Sequence, residues 1–319
     1  MNANWAASRR SLPWRHPPLS RVAVVTVAQS RSHRLGIILG LMTVFVFAAQ
    51  DGITKVLVRD YAPAQIIMVR FWAFAVFALI FAHMRGGLGV AIRSKMPGVQ
   101  IFRSVLLILQ MMVFAGGLRY MGLADAHALF ATYPLVATAL AAPILGEHVG
   151  WRRLMAVGVG FMGALVIIRP GLTVFDPAGF IQLAAAFAFA IYSLLTRKVS
   201  FQDGFATSIL YLGIFGAVAA TVIGLPFWKT PTGNDMVLLA ILSGTGIAGH
   251  LFLIKALEFA PATLLQPFNY TSLVWASLIG FTVFGEIPDV WTIAGASLIV
   301  GAGGYVIWRE RKLGKIKGR

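Results

Sequence analysis

The amino-acid sequence predicts an all-α integral membrane protein whose ten transmembrane helices form two inverted five-helix repeats. Three observations lead to this prediction: the composition, a series of apolar runs of spanning length, and a similarity between the two halves. Of the 319 residues, 58% are hydrophobic and only 12% are charged. A water-soluble domain carries about 25% charged residues, so this chain has too little polar surface to cover a globule that faces water.

The apolar runs predict the number of helices. Ten of them lie between residues 35 and 308, and each can cross about 30 Å of hydrocarbon at 1.5 Å per residue. Turn residues such as Pro63, Pro261 and Gly285 separate them, and the short connections leave no room for a soluble domain. The runs do not alternate between apolar and polar residues, which excludes lipid-exposed strands. The predicted spans are 35–57, 63–83, 102–121, 124–145, 152–169, 179–196, 205–227, 236–256, 261–284 and 289–308.

The net charge of +16 is concentrated at the two ends of the chain. Residues 1–34 contain six arginines and no acidic residue, and residues 309–319 contain six basic residues against Glu310 alone. Both segments are too short for a nucleic-acid-binding fold and offer no aromatic stacking platform, so no nucleic-acid partner is expected. We expect residues 1–34 to be a disordered cytoplasmic extension, with an organelle transit peptide or an upstream start codon as alternatives. The C-terminal segment is expected to be a cytoplasmic tail beside anionic lipid.

The basic residues also predict the orientation. With a cytoplasmic N-terminus, 21 of the 27 Lys and Arg residues fall on the inside of the membrane. The positive-inside rule therefore places both termini in the cytoplasm, with the chain in a bacterial inner membrane. The basic residues that fall on the outside are Lys55, Arg59, Arg119, Arg169 and Lys229.

Self-comparison reveals an internal repeat. Residues 45–55 align with 187–197, and the Gly-Glu pair at 146–147 recurs at 285–286. Each copy contains five predicted helices, and an odd number of crossings forces the second copy to run upside down relative to the first. Inverted repeats that share a site near the midplane are typical of secondary transporters. The predicted domains are residues 35–170 for helices 1–5 and 178–308 for helices 6–10.

A family resemblance supports this interpretation. Residues 124–134 (ADAHALFATYP), followed by the Gly-Glu pair at 146–147, resemble the EamA-type signature of the drug/metabolite transporter superfamily. Residues 260–267 (APATLLQP), followed by the second Gly-Glu pair, are similar. The resemblance implies ten helices in two inverted repeats around a central cavity, and transport of small metabolites. Because the second copy carries proline at 267 rather than opposite Pro134, the helix kinks of the two halves are expected to differ.

Polar and aromatic residues within the spans are the candidates for a substrate cavity. A polar group inside the membrane costs free energy, about 3 kcal/mol for an aspartate at a helix centre, unless it has a partner or faces water. Several candidates fall at equivalent positions of the two repeats, as expected for one shared cavity. Structural hydrogen bonds between helices are the alternative. The candidates are Gln50, Asp51, Arg70, Gln110, His127, Phe130, Tyr133, Tyr192, His250, Gln266, Asn269 and Tyr270.

Asp51 has a second predicted role. It lies about 10 Å below the outer surface, at the same depth as Arg70, and Lys55 follows one turn later on the same helix face. Two cations around one carboxylate would attract a carboxylate or phosphate of the substrate. A structural ion pair between the first two helices is the alternative. Asp51 is also the candidate proton carrier.

Other motifs predict little chemistry. The chain has no cysteine, which excludes a thiolate zinc site and a thiol nucleophile. The span histidines, His127 and His250, lie at different depths, so neither a metal nor a cofactor is expected. Glu147 and Glu286 each lie beside a glycine at the end of a predicted helix. Each is expected to be a solvated charge that ends the helix or, as the alternative, part of a gate contact. The glycine patterns at 158–163 and 244–249 lie within spans and favour close helix packing over nucleotide binding.

The sequence thus favours a secondary transporter that works by alternating access, and not an enzyme. Amino-acid-like or aromatic metabolites are the first expected substrates, and a vitamin or cofactor resembling riboflavin or S-adenosylmethionine is the next. A membrane-embedded enzyme would need an acid/base or nucleophile cluster at one depth, and a channel would need a ring of like polar residues. The expected partners are the substrate and the lipid bilayer, with a homodimer as an option. The family resemblance implies that helices 5 and 10 either brace the outside of the bundle or form the face of such a dimer.

Overall fold

The computed structural model describes residues 19–146, 150–169, 178–259 and 265–317, and every regular element in these ranges is a helix. Two short 3₁₀ turns, Leu225–Phe227 and Gln266–Tyr270, extend helix ends. The α-helices are α1 Leu19–Leu57, α2 Pro63–Met84, α3 Leu88–Ala91, α4 Pro97–Gly117, α5 Leu123–Phe130, α6 Tyr133–Leu145, α7 Trp151–Ile168, α8 Ala178–Ser200, α9 Phe205–Gly224, α10 Gly233–Phe259, α11 Thr271–Phe284 and α12 Val290–Lys317.

The helix lengths confirm the ten-helix prediction. Within the described ranges, nine helical segments are long and apolar enough to cross a membrane, and Phe268–Phe284 is a shorter apolar helix. The fourth span consists of two helices, α5 and α6, which together cover Leu123–Leu145. Helix α1 begins at Leu19, well before the predicted span, because residues 19–33 contain no proline or glycine that would stop a helix. Residues 1–18 lie outside the described residues.

Helix packing follows the inverted repeat. If the copies were parallel, equivalent helices would run in the same direction. Instead α2 packs antiparallel to α9, the equivalent helix of the second repeat: Gly213 faces Ala78 at one end, and Gly224 faces Ala64 at the other. The first helices of the two repeats are α1 and α8, and the third are α4 and α10. The contact of α1 with α10 is therefore equivalent to the contact of α8 with α4, as a two-fold rotation requires.

Helices α7 and α12 are the fifth helices of the two repeats, and their backbones come into contact. They run antiparallel, with Gly160 facing Ala302 and Gly295 facing Ile167. A Cβ atom placed on Gly163 would lie 2.7 Å from the carbonyl oxygen of Gly295. A side chain at this crossing would therefore force the helices apart, and the glycines serve as small residues for close packing.

Both repeats break their fourth helix near the middle. In the first repeat, α5 ends at Phe130 and α6 restarts at Tyr133, with Pro134 in the first turn where its missing N–H is harmless. In the second, the 3₁₀ turn Gln266–Tyr270 leads directly into α11. The restart is at an equivalent place in both repeats, although the form of the break differs, as the shifted proline predicted.

The doubled Gly-Glu motif is explained by backbone geometry. Gly146 and Gly285 cap the C-termini of α6 and α11 with φ values of 69° and 68°. This left-handed conformation carries no penalty for glycine because it lacks a Cβ atom. Glu147 lies outside the described residues, so its predicted helix-end role stays a prediction.

Candidate functional site

Four of the predicted residues form a polar cluster (Gln50, Asp51, Arg70 and His127) between α1, α2 and α5. Arg70 Nη2 donates a hydrogen bond of 2.6 Å to Gln50 Oε1. His127 Nε2 lies 3.2 Å from Asp51 Oδ2, within ion-pair distance once the imidazole is protonated. The predicted Asp51–Arg70 pair is thus replaced by two neighbouring pairs, because the turn of α1 directs Gln50 toward α2 and Asp51 toward α5.

The polar cluster contains buried groups without a hydrogen-bond partner among the described residues. Gln50 and His127 are 2% and 6% exposed, yet neither Gln50 Nε2 nor His127 Nε2 makes an aligned hydrogen bond there. An unsatisfied buried polar group costs about 1–3 kcal/mol. A water molecule or a polar group of a bound solute at this position would remove that cost.

An aromatic cluster adjoins the polar cluster. It comprises Phe114, Phe130, Tyr133, Phe189 and Tyr192, contributed by α4, α5, α6 and α8. Phe114 packs edge-on against His127 with ring centroids 5.6 Å apart, which joins the two clusters. Tyr133 and Phe189 meet edge-to-face at 4.8 Å, an arrangement that aromatic rings prefer. The result is one continuous group of side chains with a charged half and an aromatic half.

Two polar side chains border the aromatic cluster. Asn269 Nδ2, from the second repeat, donates to the Tyr133 hydroxyl at 3.4 Å. The Arg103 guanidinium lies 5.9 Å from the centre of the Tyr192 ring, a cation–π contact. Arg103 is 1% exposed, and Arg103 Nε donates to Gln100 Oε1 at 2.7 Å.

The other predicted cavity residues are not members of these two clusters, although His250 adjoins the polar cluster through Gly246, which faces Gln50. His250 packs between Phe47 and Phe74, with Nδ1 2.8 Å from the Gly246 carbonyl oxygen. The Tyr270 ring packs on Gly303 of α12. Gln110 is buried on α4, and the side chain of Gln266 lies outside the described residues.

Lys55 and Glu286 form a contact at the end of the bundle where α1 finishes, which we call the Lys55 end. Lys55 pairs with Glu286 and donates a 2.8 Å hydrogen bond to the Met121 carbonyl. Glu286 also accepts a 2.9 Å hydrogen bond from the Leu123 N–H. Lys55 therefore does not supply a second cation to Asp51, and Glu286 links the two repeats rather than standing solvated at a helix end.

A second inter-repeat contact lies at the opposite end, which we call the Asp203 end. Asp203, in the α8–α9 connection, accepts 2.8 Å hydrogen bonds from the Lys95 N–H and from Gln100 Nε2, and another from Ser94. Burial raises the pKa of Asp203, but these hydrogen bonds and the Lys95 charge outweigh burial and lower it overall. The contact is therefore fully formed above the ordinary carboxyl pKa of 3.8 and is lost as the pH falls through the lowered value.

A related contact at the Lys55 end occupies the equivalent place under the two-fold rotation. The Tyr61 hydroxyl, in the α1–α2 connection, donates a 2.6 Å hydrogen bond to Asp235 of the second repeat. This hydrogen bond raises the pKa of Tyr61. Each end is thus held by a loop of one repeat bonded to the start of a helix in the other.

Sequence reasoning missed several of these residues. Phe114 and Phe189 lie among 38 aromatic residues, and nothing in the sequence separates a cavity phenylalanine from one that faces lipid. Gln100 and Arg103 could have been found from the sequence, since two polar residues three apart near the start of a span lie on one helix face.

In the described part of the chain, no group of three His, Cys, Asp or Glu side chains could hold a metal ion.

Comparisons with known proteins identify transporters. The model of the EamA-like transporter family matches residues 34–169. The S-adenosylmethionine uptake transporter of Rickettsia felis is 28% identical over 272 residues, which cover 85% of this chain and 92% of that protein. The riboflavin transporter of Vibrio cholerae is 29% identical over 253 residues, 78% of this chain and 85% of that protein.

Two further similarities extend this result. The pseudopaline exporter CntI of Pseudomonas aeruginosa is 25% identical over 273 residues, 84% of this chain and 94% of that protein. A solved crystal structure superposes with a TM-score of 0.59 at 16% identity, covering 89% of this chain and 99% of that chain, and supports the fold alone. The ten-helix membrane fold, the family match over residues 34–169 and the transporters that are similar over most of the chain together make this protein similar to the EamA-like transporters.

Proposed function

We propose that this protein is a secondary carrier, and not an enzyme, that moves a small metabolite across the membrane by alternating access. The joined polar and aromatic clusters carry the proposal, because the aromatic cluster combines side chains of both repeats and contacts between the repeats lie at both ends of the bundle. Opening the Tyr61–Asp235 and Lys55–Glu286 contacts would expose the site at one end. Opening the Asp203 contacts would expose it at the other end.

The two clusters favour a substrate with a planar ring and a charged group, so amino-acid-like or aromatic metabolites come first. Rings would stack against Phe130, Tyr133 and Phe189. Asp51 would attract an amino group, and Arg70 a carboxylate. All of these roles stay predictions, as do the roles of the remaining cavity candidates, Gln110, Gln266, His250 and Tyr270.

A second candidate function is uptake of a vitamin or cofactor. The named relatives favour it, since two of them are transporters of S-adenosylmethionine and riboflavin. The aromatic cluster suits this class equally well, because a fused ring system presents more area for stacking than a single ring.

Replacing Phe189 by leucine tests the site. Phe189 lies at the centre of the aromatic cluster, in contact with Phe130, Tyr133 and Tyr192, and a substrate ring packed against it would gain about 0.5–1.5 kcal/mol. We therefore expect the KM for ring-bearing solutes to rise about tenfold, measured by counterflow in proteoliposomes with aromatic amino acids, riboflavin and S-adenosylmethionine.

Phe187→Leu is the matched control, because Phe187 lies on the same helix and is 48% exposed on its outer face. Equal KM values for the two variants would remove the aromatic cluster from the substrate site. Chemical conversion of the solute during counterflow would contradict the carrier proposal itself.

We also propose that the protein lies in a bacterial inner membrane, with both termini and the Asp203 end on the cytoplasmic side. The distribution of basic residues supports this orientation. The cysteine-free chain allows a direct test with the single-cysteine variants Asp60→Cys and Lys198→Cys, both at exposed positions. An impermeant maleimide is expected to label Asp60→Cys in intact cells and Lys198→Cys only after lysis. The reverse pattern would invert the orientation.

A further inference from the structure

A cavity at the Asp203 end is separate from the proposed substrate site. It has a volume of about 690 Å³ and lies between the ends of α2, α9 and α10 and the short helix α3. Its walls are largely apolar, and Phe81, Phe205 and Ile254 are among the lining residues. Phe81 and Phe205 meet edge-to-face with ring centroids 6.0 Å apart.

The rim of this cavity is basic. The lining residues include three cations, Arg85, Arg93 and Lys95, and a single carboxylate, Asp203. Asp203 is already engaged by hydrogen bonds from Ser94, the Lys95 N–H and Gln100. The positive charge therefore exceeds the negative charge at the mouth, above apolar walls.

The surroundings of the cavity resemble a membrane interface. Gly86 and Gly87, with φ values of 135° and 89°, turn the chain sharply after α2. Around the turn, Met84 is 78% exposed and Val90 on α3 is 69% exposed. Apolar side chains on a short helix that is flanked by basic residues, here Arg85 and Arg93, are typical of a segment that lies at the level of lipid headgroups.

We propose that this cavity binds one anionic phospholipid, with its phosphate between Arg93 and Lys95 and its glycerol and upper acyl chain against Phe81 and Phe205. Basic pockets between transmembrane helices bind acidic headgroups. A free phosphate ion would use the basic rim but leave the apolar wall in water, so a lipid fits both features. Anionic phospholipids occur in either leaflet, so the inference does not depend on the proposed orientation.

The test compares two double variants of the full chain. Arg93→Gln/Lys95→Gln removes two rim charges, while Arg152→Gln/Lys198→Gln removes two exposed charges from the same end outside the cavity. Detergent-purified protein is titrated with phosphatidylglycerol, and bound lipid is counted by native mass spectrometry. At about fivefold per basic residue, we expect affinity to fall roughly 30-fold in the first variant and to stay within about twofold in the second.

Two further measurements distinguish binding of an anionic phospholipid from binding of any lipid or of a phosphate group alone. Phosphatidylcholine should bind the original protein much more weakly than phosphatidylglycerol, and glycerol phosphate should not displace the lipid. Equal affinity for both lipids, equal losses in both variants, or displacement by glycerol phosphate would each overturn the proposal. Both variants alter exposed side chains, and unchanged melting temperatures would show that the fold is intact.

Discussion

Replacing Asp51 by asparagine is expected to reduce proton-driven accumulation of the substrate by about 100-fold or more. Asp51 is the carboxylate of the polar cluster and lies 3.2 Å from His127 Nε2. A carboxylate can alternate between a charged state paired with imidazolium and a protonated state, and an amide cannot. Intramembrane ionisable residues of this kind are the usual carriers of protons in transporters.

The measurement is uptake into proteoliposomes with and without an imposed pH gradient. Counterflow, which needs no gradient, should persist in Asp51→Asn at saturating substrate, with a raised KM for solutes that carry an amino group, and this result would separate proton coupling from substrate binding. Asp60→Asn is the control, since Asp60 is exposed at the end of the bundle. If the pH gradient drove accumulation equally in Asp51→Asn and the original protein, Asp51 would not be the proton carrier.

Replacing Gly163 by valine is expected to abolish correct folding or to lower the melting temperature sharply. The new Cβ atom would lie 2.7 Å from the Gly295 carbonyl oxygen and 3.0 Å from Ile299. Since the closest obstacle is backbone, rotation of a side chain cannot relieve the clash. Overpacking of this kind costs about 1–3 kcal/mol, and the two γ methyl groups add to it.

Gly158→Val is a closely matched control, because Gly158 lies on the same helix and a Cβ atom added there would meet no neighbouring atom within 4 Å. Both variants carry the same change in helix propensity, so their difference reports the α7–α12 contact alone. Fluorescence-detected size exclusion and thermal melting in detergent measure the effect. Equal melting temperatures for the two variants would mean that the helices can separate at no cost.

The fold could be predicted from the sequence because a membrane permits few kinds of backbone structure. Apolar runs of spanning length must be helices, since every backbone polar group needs an internal partner. The spacing of 139 residues between the Gly-Glu pairs then marks a repeat of five helices, and this odd number of crossings requires inversion. The break in the fourth span, between Phe130 and Tyr133, was harder to predict. A break inside an apolar run does not change the composition of that run.

The site was predictable only in part. Gln50, Asp51, Arg70 and His127 stand out because polar residues are rare in spans, and the structure brings them together. Their pairing was not predictable, since a rotation of about 100° between adjacent residues decides whether Gln50 or Asp51 meets Arg70. Glu286 is separated from Lys55 by 231 positions, and only the packing of α1 against α11 brings them together.

The left-handed caps at Gly146 and Gly285 have a consequence for substitution at these two positions. At φ values of 69° and 68°, a residue with a Cβ atom would cost roughly 1–2 kcal/mol. At Gly285 the strain would also reach the contact between the repeats, since Glu286 follows directly and pairs with Lys55. A change of this one glycine would therefore disturb the end of α11 and the Lys55 end together.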